Sequence, residues 1–212
     1  MIRHSVGDRL FAIGLASVAG FVDVVGYLEL GGYFLSFMSG NTTRLGAGLA
    51  ADSSEFGIAL LLIALFVLGV VFGSLLGRFS RRRRVTILWF VSGLLGLAAV
   101  LAAYGLSMPA MLLVAFAMGS ENTVFERDGE VAIGLTYMTG ALVKLGQHIA
   151  TALTGGSRTT WVWYAALWAG LASGAATGAA VYGAIGIAAL WPAAAAAGIF
   201  AAIATFAWRS AD

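Results

Sequence analysis

The chain has 212 residues, of which 60% are hydrophobic and 10% charged, with a mean hydropathy of +0.93. Soluble domains carry about 25% charged residues, so this composition belongs to a chain that faces lipid, and no polar stretch is long enough for a separate soluble domain. A net charge of only +2 argues against a nucleic-acid partner, and the absence of cysteine excludes disulfides, thiolate metal sites and a cysteine nucleophile.

Eight apolar segments follow one another, four in each half. The first lies near 10–30 and carries Asp23, with Glu29 toward its far end. It is longer than a signal-peptide core, and although Ala16-Ser17-Val18-Ala19-Gly20 imitates a cleavage site, the segment is read as the first span. The second, near 31–50, is interrupted by Met38-Ser39-Gly40-Asn41-Thr42-Thr43-Arg44-Leu45-Gly46, which places small residues and a base inside an apolar run. The third covers about 56–77 with a glycine stripe at Gly69, Gly73 and Gly77. Arg78 and Arg81 to Arg84 separate it from the fourth, near 85–106.

The second half repeats this order. A segment near 109–125 carries Glu121, and one near 131–153 contains Met138-Thr139-Gly140-Ala141-Leu142-Val143-Lys144-Leu145-Gly146. A third, near 161–183, has its stripe at Gly170, Gly174 and Gly178, and opens on Trp161, Trp163, Tyr164 and Trp168, an interfacial aromatic belt. The last lies near 186–208. Ala19-Gly20 before Asp23 and Met118-Gly119 before Glu121 add a third landmark in the same order. The chain is therefore read as one membrane domain built from two repeats, 1–106 and 107–212.

The basic residues set the orientation. If the second segment of each half dips into the bilayer and returns, six spans remain and both termini are cytoplasmic. Arg3, Arg9, Arg78, Arg81, Arg82, Arg83, Arg84, Arg127, Arg158 and Arg209 then all lie inside, while Asp52 and Glu55 lie outside. If those segments cross, eight spans result and Arg3, Arg9, Arg158 and Arg209 move outside. The first arrangement is favoured. Its three spans per repeat invert one half relative to the other, as in many transporters. The expected fold is an all-α integral membrane protein of about six transmembrane helices in two inverted three-helix repeats, each with a re-entrant or broken glycine-containing segment.

Charges at membrane depth cost a few kcal/mol and face a bundle interior or a wet cavity. Here they alternate, Asp23 with Arg44 and Glu121 with Lys144, so each half is expected to close an acid–base pair, structural or functional. A broken helix directs free N–H groups at the gap, which favours an anion. The candidate solute-binding residues are Asp23, Ser39, Gly40, Asn41, Thr42, Arg44, Glu121, Asn122, Thr139, Gly140 and Lys144. His148, four residues after Lys144 and on the same helix face, is a candidate proton relay; His4 lies in the N-terminal tail. Phe34 and Phe37 flank the first break. No metal or catalytic constellation is legible, and neither a cofactor nor an enzyme activity is expected. The glycine stripes let helices approach closely, within one chain or in a homodimer.

Gly20-Phe21-Val22-Asp23-Val24-Val25-Gly26-Tyr27 and Met38-Ser39-Gly40-Asn41-Thr42, with Gly119-Ser120-Glu121-Asn122 and Tyr137-Met138-Thr139-Gly140, resemble the YoaK family of small bacterial membrane proteins, domain of unknown function 1275. The resemblance spans nearly the whole chain and implies a six-span membrane protein without assigning an activity. Related sequences often carry a Gln–Asn pair after the second-half glycine; an acid, Glu121, stands here instead. The expected function is a bacterial inner-membrane transporter of a small, anionic solute bound at midplane between the repeats. A channel and a non-transporting scaffold are the alternatives.

Overall fold

The computed structural model describes residues 5–51, 55–127 and 129–207. Arg3, His4, Asp52 and Arg209 lie outside the described residues, as do the side chains of Glu55 and Arg127. The chain is helical throughout: α1 (Val6–Glu29), α2 (Met38–Ala50), α3 (Glu55–Phe79), α4 (Arg83–Ala103), α5 (Ser107–Glu121), α6 (Met138–Leu153), α7 (Thr160–Ile185) and α8 (Leu190–Ala207). Two-residue strands, β1 (Glu126–Arg127) and β2 (Glu130–Val131), form a small antiparallel hairpin after α5 that the charged sequence there did not suggest.

Length sorts these helices. The stretches Val6–Glu29, Phe56–Phe79, Arg83–Ala103 and Thr160–Ala207 are long and apolar enough to cross a membrane. The last is 48 residues and turns at Gly186, whose φ of +61° suits glycine, so that α7 and α8 are joined through a 3-10 turn. The 15-residue α5 is shorter but apolar. The 13 residues of α2 and 16 of α6 reach about 20 and 24 Å at 1.5 Å per residue, less than a hydrocarbon core of about 30 Å.

Local chemistry sets the ends of α1. The Ser5 hydroxyl accepts the Asp8 N–H at 3.1 Å, capping the first turn. At the other end Gly31 and Gly32 adopt φ of +66° and +105°, and the Gly32 N–H returns to the Tyr27 carbonyl at 2.7 Å. The chain leaves the helix there and runs irregularly through 33–37, bending at Leu35 and Ser36, before α2 begins.

The glycine stripes decide the packing. A Cβ on Gly170, Gly174 or Gly178 would run into the backbone of Ile13, Ser17 or Phe21 of α1. A Cβ on Gly69 or Gly73 would strike Phe116 or Ser120 of α5. Rising numbers meet rising numbers in both cases, so α7 runs parallel to α1 and α3 parallel to α5. Both stripes are thus filled within one chain, and a homodimer through them would have to displace α1 and α5. On α8, Phe200 packs on Phe11, while Pro192 and Ala196 lie by Ser17 and Phe21; α8 therefore runs against α1. Trp89 and Ser92 of α4 bond Thr205 and Ala194, so α4 and α8 are also antiparallel. Helices α1, α4 and α7 point one way, and α3, α5 and α8 the other.

One end of this bundle is held by ion pairs. Arg84 meets Asp8 at 2.5 Å, and Arg83 meets Glu126 at 2.5 Å, an oxygen that also accepts from Ser74. The start of α1, the end of α3, the start of α4 and the hairpin after α5 therefore gather at the arginine-rich end.

Candidate functional site

The two breaks are the irregular backbone between α1 and α2 and between β2 and α6. In the first, the Asp23 carboxylate reaches from α1 and takes three backbone N–H groups on one oxygen: Leu35 at 2.7 Å, Ser36 at 2.7 Å and Phe37 at 3.4 Å. Asn41, fully buried, clamps Phe34 by both backbone groups, accepting its N–H at 2.9 Å and donating to its carbonyl at 2.7 Å. Arg44 donates to the Gly32 carbonyl at 2.9 Å and lies 4.3 Å over the Tyr33 ring. The first break is therefore an irregular segment whose backbone groups at Gly32, Phe34, Leu35, Ser36 and Phe37 are paired by side chains.

Among the described residues, neither expected acid–base pair forms. Asp23 is spent on backbone N–H groups and Arg44 on a carbonyl and a ring. Glu121 is 1% exposed, and its Oε2 has no hydrogen-bond partner among the described residues. Lys144 sits 6.0 Å over the Tyr164 ring, on which His148 stacks at 5.2 Å.

The partner of Asp23 in the repeat is not Glu121. Aligning Gly20-Phe21-Val22-Asp23 with Gly119-Ser120-Glu121-Asn122 sets Asp23 against Asn122 and Val22 against Glu121. Geometry agrees: the Asn122 side-chain oxygen accepts from the Thr136 hydroxyl at 3.0 Å, and Thr136 is the counterpart of Ser36. Glu121 occupies a position that holds a fully buried valine in the first half. The repeated unit also starts earlier than the sequence suggested, at Leu35-Ser36-Phe37-Met38 and Leu135-Thr136-Tyr137-Met138. Leu35 and Leu135 are both fully buried. The doubled Leu-Ser/Thr-aromatic-Met string was the signal that could have found it.

The breaks meet at a cavity of about 470 Å3. Asp23 and Tyr27 line it from α1, Phe34, Ser36 and Phe37 from the first break, Thr136 from the second, and Leu171 from α7. Of the site residues expected from sequence, Asp23 alone lines this space. Gly140 and Lys144 line a smaller cavity of about 130 Å3 beside Tyr164. Ser39, Thr42 and Thr139 are on exposed or half-buried turns of α2 and α6, where Thr42 returns its hydroxyl to the Met38 carbonyl. A Cβ on Gly40 would strike Phe34 and Phe37, so this glycine lets their rings lie over the start of α2. Ser36 and Thr136, 4% and 7% exposed, are the site residues that the sequence did not reveal.

The chain matches the family described as "Protein of unknown function (DUF1275)" over residues 11–203. It is 36% identical over 192 residues to the UPF0700 transmembrane protein RA0705 of Rhizobium meliloti (strain 1021), covering 89% of this chain and 82% of that protein. It is 32% identical over 146 residues to the UPF0700 transmembrane protein YoaK of Bacillus subtilis (strain 168), covering 64% of each. No solved structure matches.

Proposed function

The chain belongs to the DUF1275 family of helical membrane proteins, and from its central cavity we propose that it is a small-solute carrier of the bacterial inner membrane. In this reading α1, α3, α4, α5, α7 and α8 make six spans with both termini cytoplasmic. The halves 1–106 and 107–212 are inverted repeats, and α2 and α6 are re-entrant from opposite faces. The alternating helix directions, the short α2 and α6, and the arginine-rich end beside the start of α1 support it. The carrying observation is that both breaks contribute to one 470 Å3 cavity, within the range of about 300–1,000 Å3 typical of small-molecule sites. Rocking one half against the other would open that cavity to each side in turn.

An anionic solute fits this cavity less well than the sequence suggested. The N–H groups of the first break are already taken by Asp23, and neither Arg44 nor Lys144 is among the lining residues. No enzyme activity is part of this proposal.

The absence of native cysteine makes the test direct. Thr136→Cys in proteoliposomes is exposed to a membrane-impermeant maleimide from one side, then from the other. A carrier is labelled from each side, and cross-linking α1 to the first break abolishes labelling from one side only. Labelling from neither side would point to a scaffold. A cross-link with no effect on either side would point to a channel.

A further inference from the structure

We infer that the central cavity selects a small organic cation, an ammonium group carried on an apolar or aromatic body; this rests on the carrier reading above only for transport, not for binding. Three observations combine. First, the Asp23 carboxylate lines the cavity, and its three backbone hydrogen bonds all fall on Oδ1, leaving Oδ2 without a backbone partner among the described residues. Second, the Ser36 hydroxyl is buried and lines the same space beside that carboxylate. A carboxylate and a hydroxyl oxygen thus face the cavity together, and an ammonium group brings donors only. Third, three rings form a continuous run along the wall. Tyr27 and Phe34 lie 5.2 Å apart at 40°, and Phe34 and Phe37 lie 5.2 Å apart at 82°. A ring face within about 6 Å attracts a cation, and more strongly when water is excluded.

The charge balance points the same way. Among the described residues lining the cavity there is one carboxylate and no Lys, Arg or His. The three N–H groups on Oδ1 hold the carboxylate in a fixed orientation, and a bound cation would complete its compensation. A bare metal ion fits less well, because hard cations take about six or more oxygen ligands and this wall is mostly hydrocarbon. An apolar body fits the remaining wall, to which Val24, Met138, Leu171 and Ala175 contribute.

The test uses the full chain in lipid nanodiscs and three probes of one shape: 2-phenylethylammonium, 2-phenylethanol and 3-phenylpropionate. Saturable binding by equilibrium dialysis should favour the ammonium by about tenfold or more over either isostere, the scale of one charge-assisted hydrogen bond. Asp23→Asn should remove that preference. Phe34→Leu leaves the carboxylate in place and should weaken ammonium binding about threefold to tenfold without affecting the alcohol, so the test does not depend on Asp23→Asn folding. Equal or tighter binding of the alcohol or the carboxylate would overturn the inference. Saturable binding of none of the three would do so too, as would a folded Asp23→Asn that binds the ammonium unchanged. Ammonium binding without uptake into proteoliposomes sinks the carrier reading and leaves this one standing. Uptake of the carboxylate alone does the reverse.

Discussion

The two breaks share the string Leu-Ser/Thr-aromatic-Met, yet they are held in different ways. The first is pinned by a carboxylate on three N–H groups, by an amide that clamps Phe34 twice, and by Arg44 on the Gly32 carbonyl. In the second, Asn122 replaces Asp23, Ala141 replaces Asn41, and one bond from Thr136 to Asn122 does the corresponding work. A duplicated frame can thus keep its helix packing while one copy is made rigid and the other left looser. In the proposed carrier this asymmetry would let the pinned break hold the carboxylate that lines the cavity while the other break moves.

The helix packing, which both halves share, should be the most sensitive to change. Gly174→Val and Gly69→Val each drive a side chain into the backbone of a parallel neighbour. Both should cost at least about 3 kcal/mol and sharply lower the yield of folded protein in detergent, read by size-exclusion chromatography. A tolerant Gly174→Val would break the claim that the stripes are filled within the chain.

The breaks themselves should respond unequally. Asp23→Ala orphans buried N–H groups at about 1–3 kcal/mol each, so a loss of about 3 kcal/mol or more in thermal stability is expected. Asn122→Ala removes two side-chain bonds, one of them to the Met118 carbonyl within its own helix turn, and orphans no backbone N–H, so it should cost about 1–2 kcal/mol. Amide exchange sharpens the contrast: Leu35, Ser36 and Phe37 should exchange more slowly than Leu135, Thr136 and Tyr137. Equal protection in the two segments would remove the asymmetry. Asn41→Ala frees both backbone groups of Phe34 and should cost about 2 kcal/mol.

Glu121→Val should act in the opposite direction. It removes a buried carboxyl oxygen without a hydrogen-bond partner among the described residues and restores the residue found at Val22. A gain of about 1–2 kcal/mol in stability is expected. A loss of stability would show that Glu121 makes an interaction the first half lacks. A gain in stability with loss of uptake would assign it a functional role.

Much of this architecture was legible in the sequence. The eight apolar segments near 10–30 through 186–208 correspond one to one with α1 to α8, because length and hydropathy suffice to mark helices that must bury their backbone in lipid. The stripes at Gly69 and Gly170 were legible because close helix approach leaves only glycine. The site was less so. Opposite charges at similar spacing suggested pairs, but spacing along the chain does not tell whether a carboxylate turns to a base or to backbone N–H groups. Asp23 took the N–H groups of Leu35 and Ser36, which look like ordinary apolar helix in sequence. Glu121 drew attention as an acid near the right place, while its neighbour Asn122 held the corresponding position. Ser36 and Thr136 carry no charge, and the doubled string around them marks a likeness between the halves but not the cavity they line.

The central claim is that two breaks enter the bilayer from opposite faces and meet at one cavity. Single cysteines tell most directly: Ser157→Cys, just before α7, and Ala184→Cys, at its far end, each treated in intact cells with a membrane-impermeant maleimide. Labelling of Ala184→Cys with Ser157→Cys protected until the membrane is opened is the expected result. Labelling of Ser157→Cys with Ala184→Cys protected would reverse α7, and with it the parallel α1, and contradict the account.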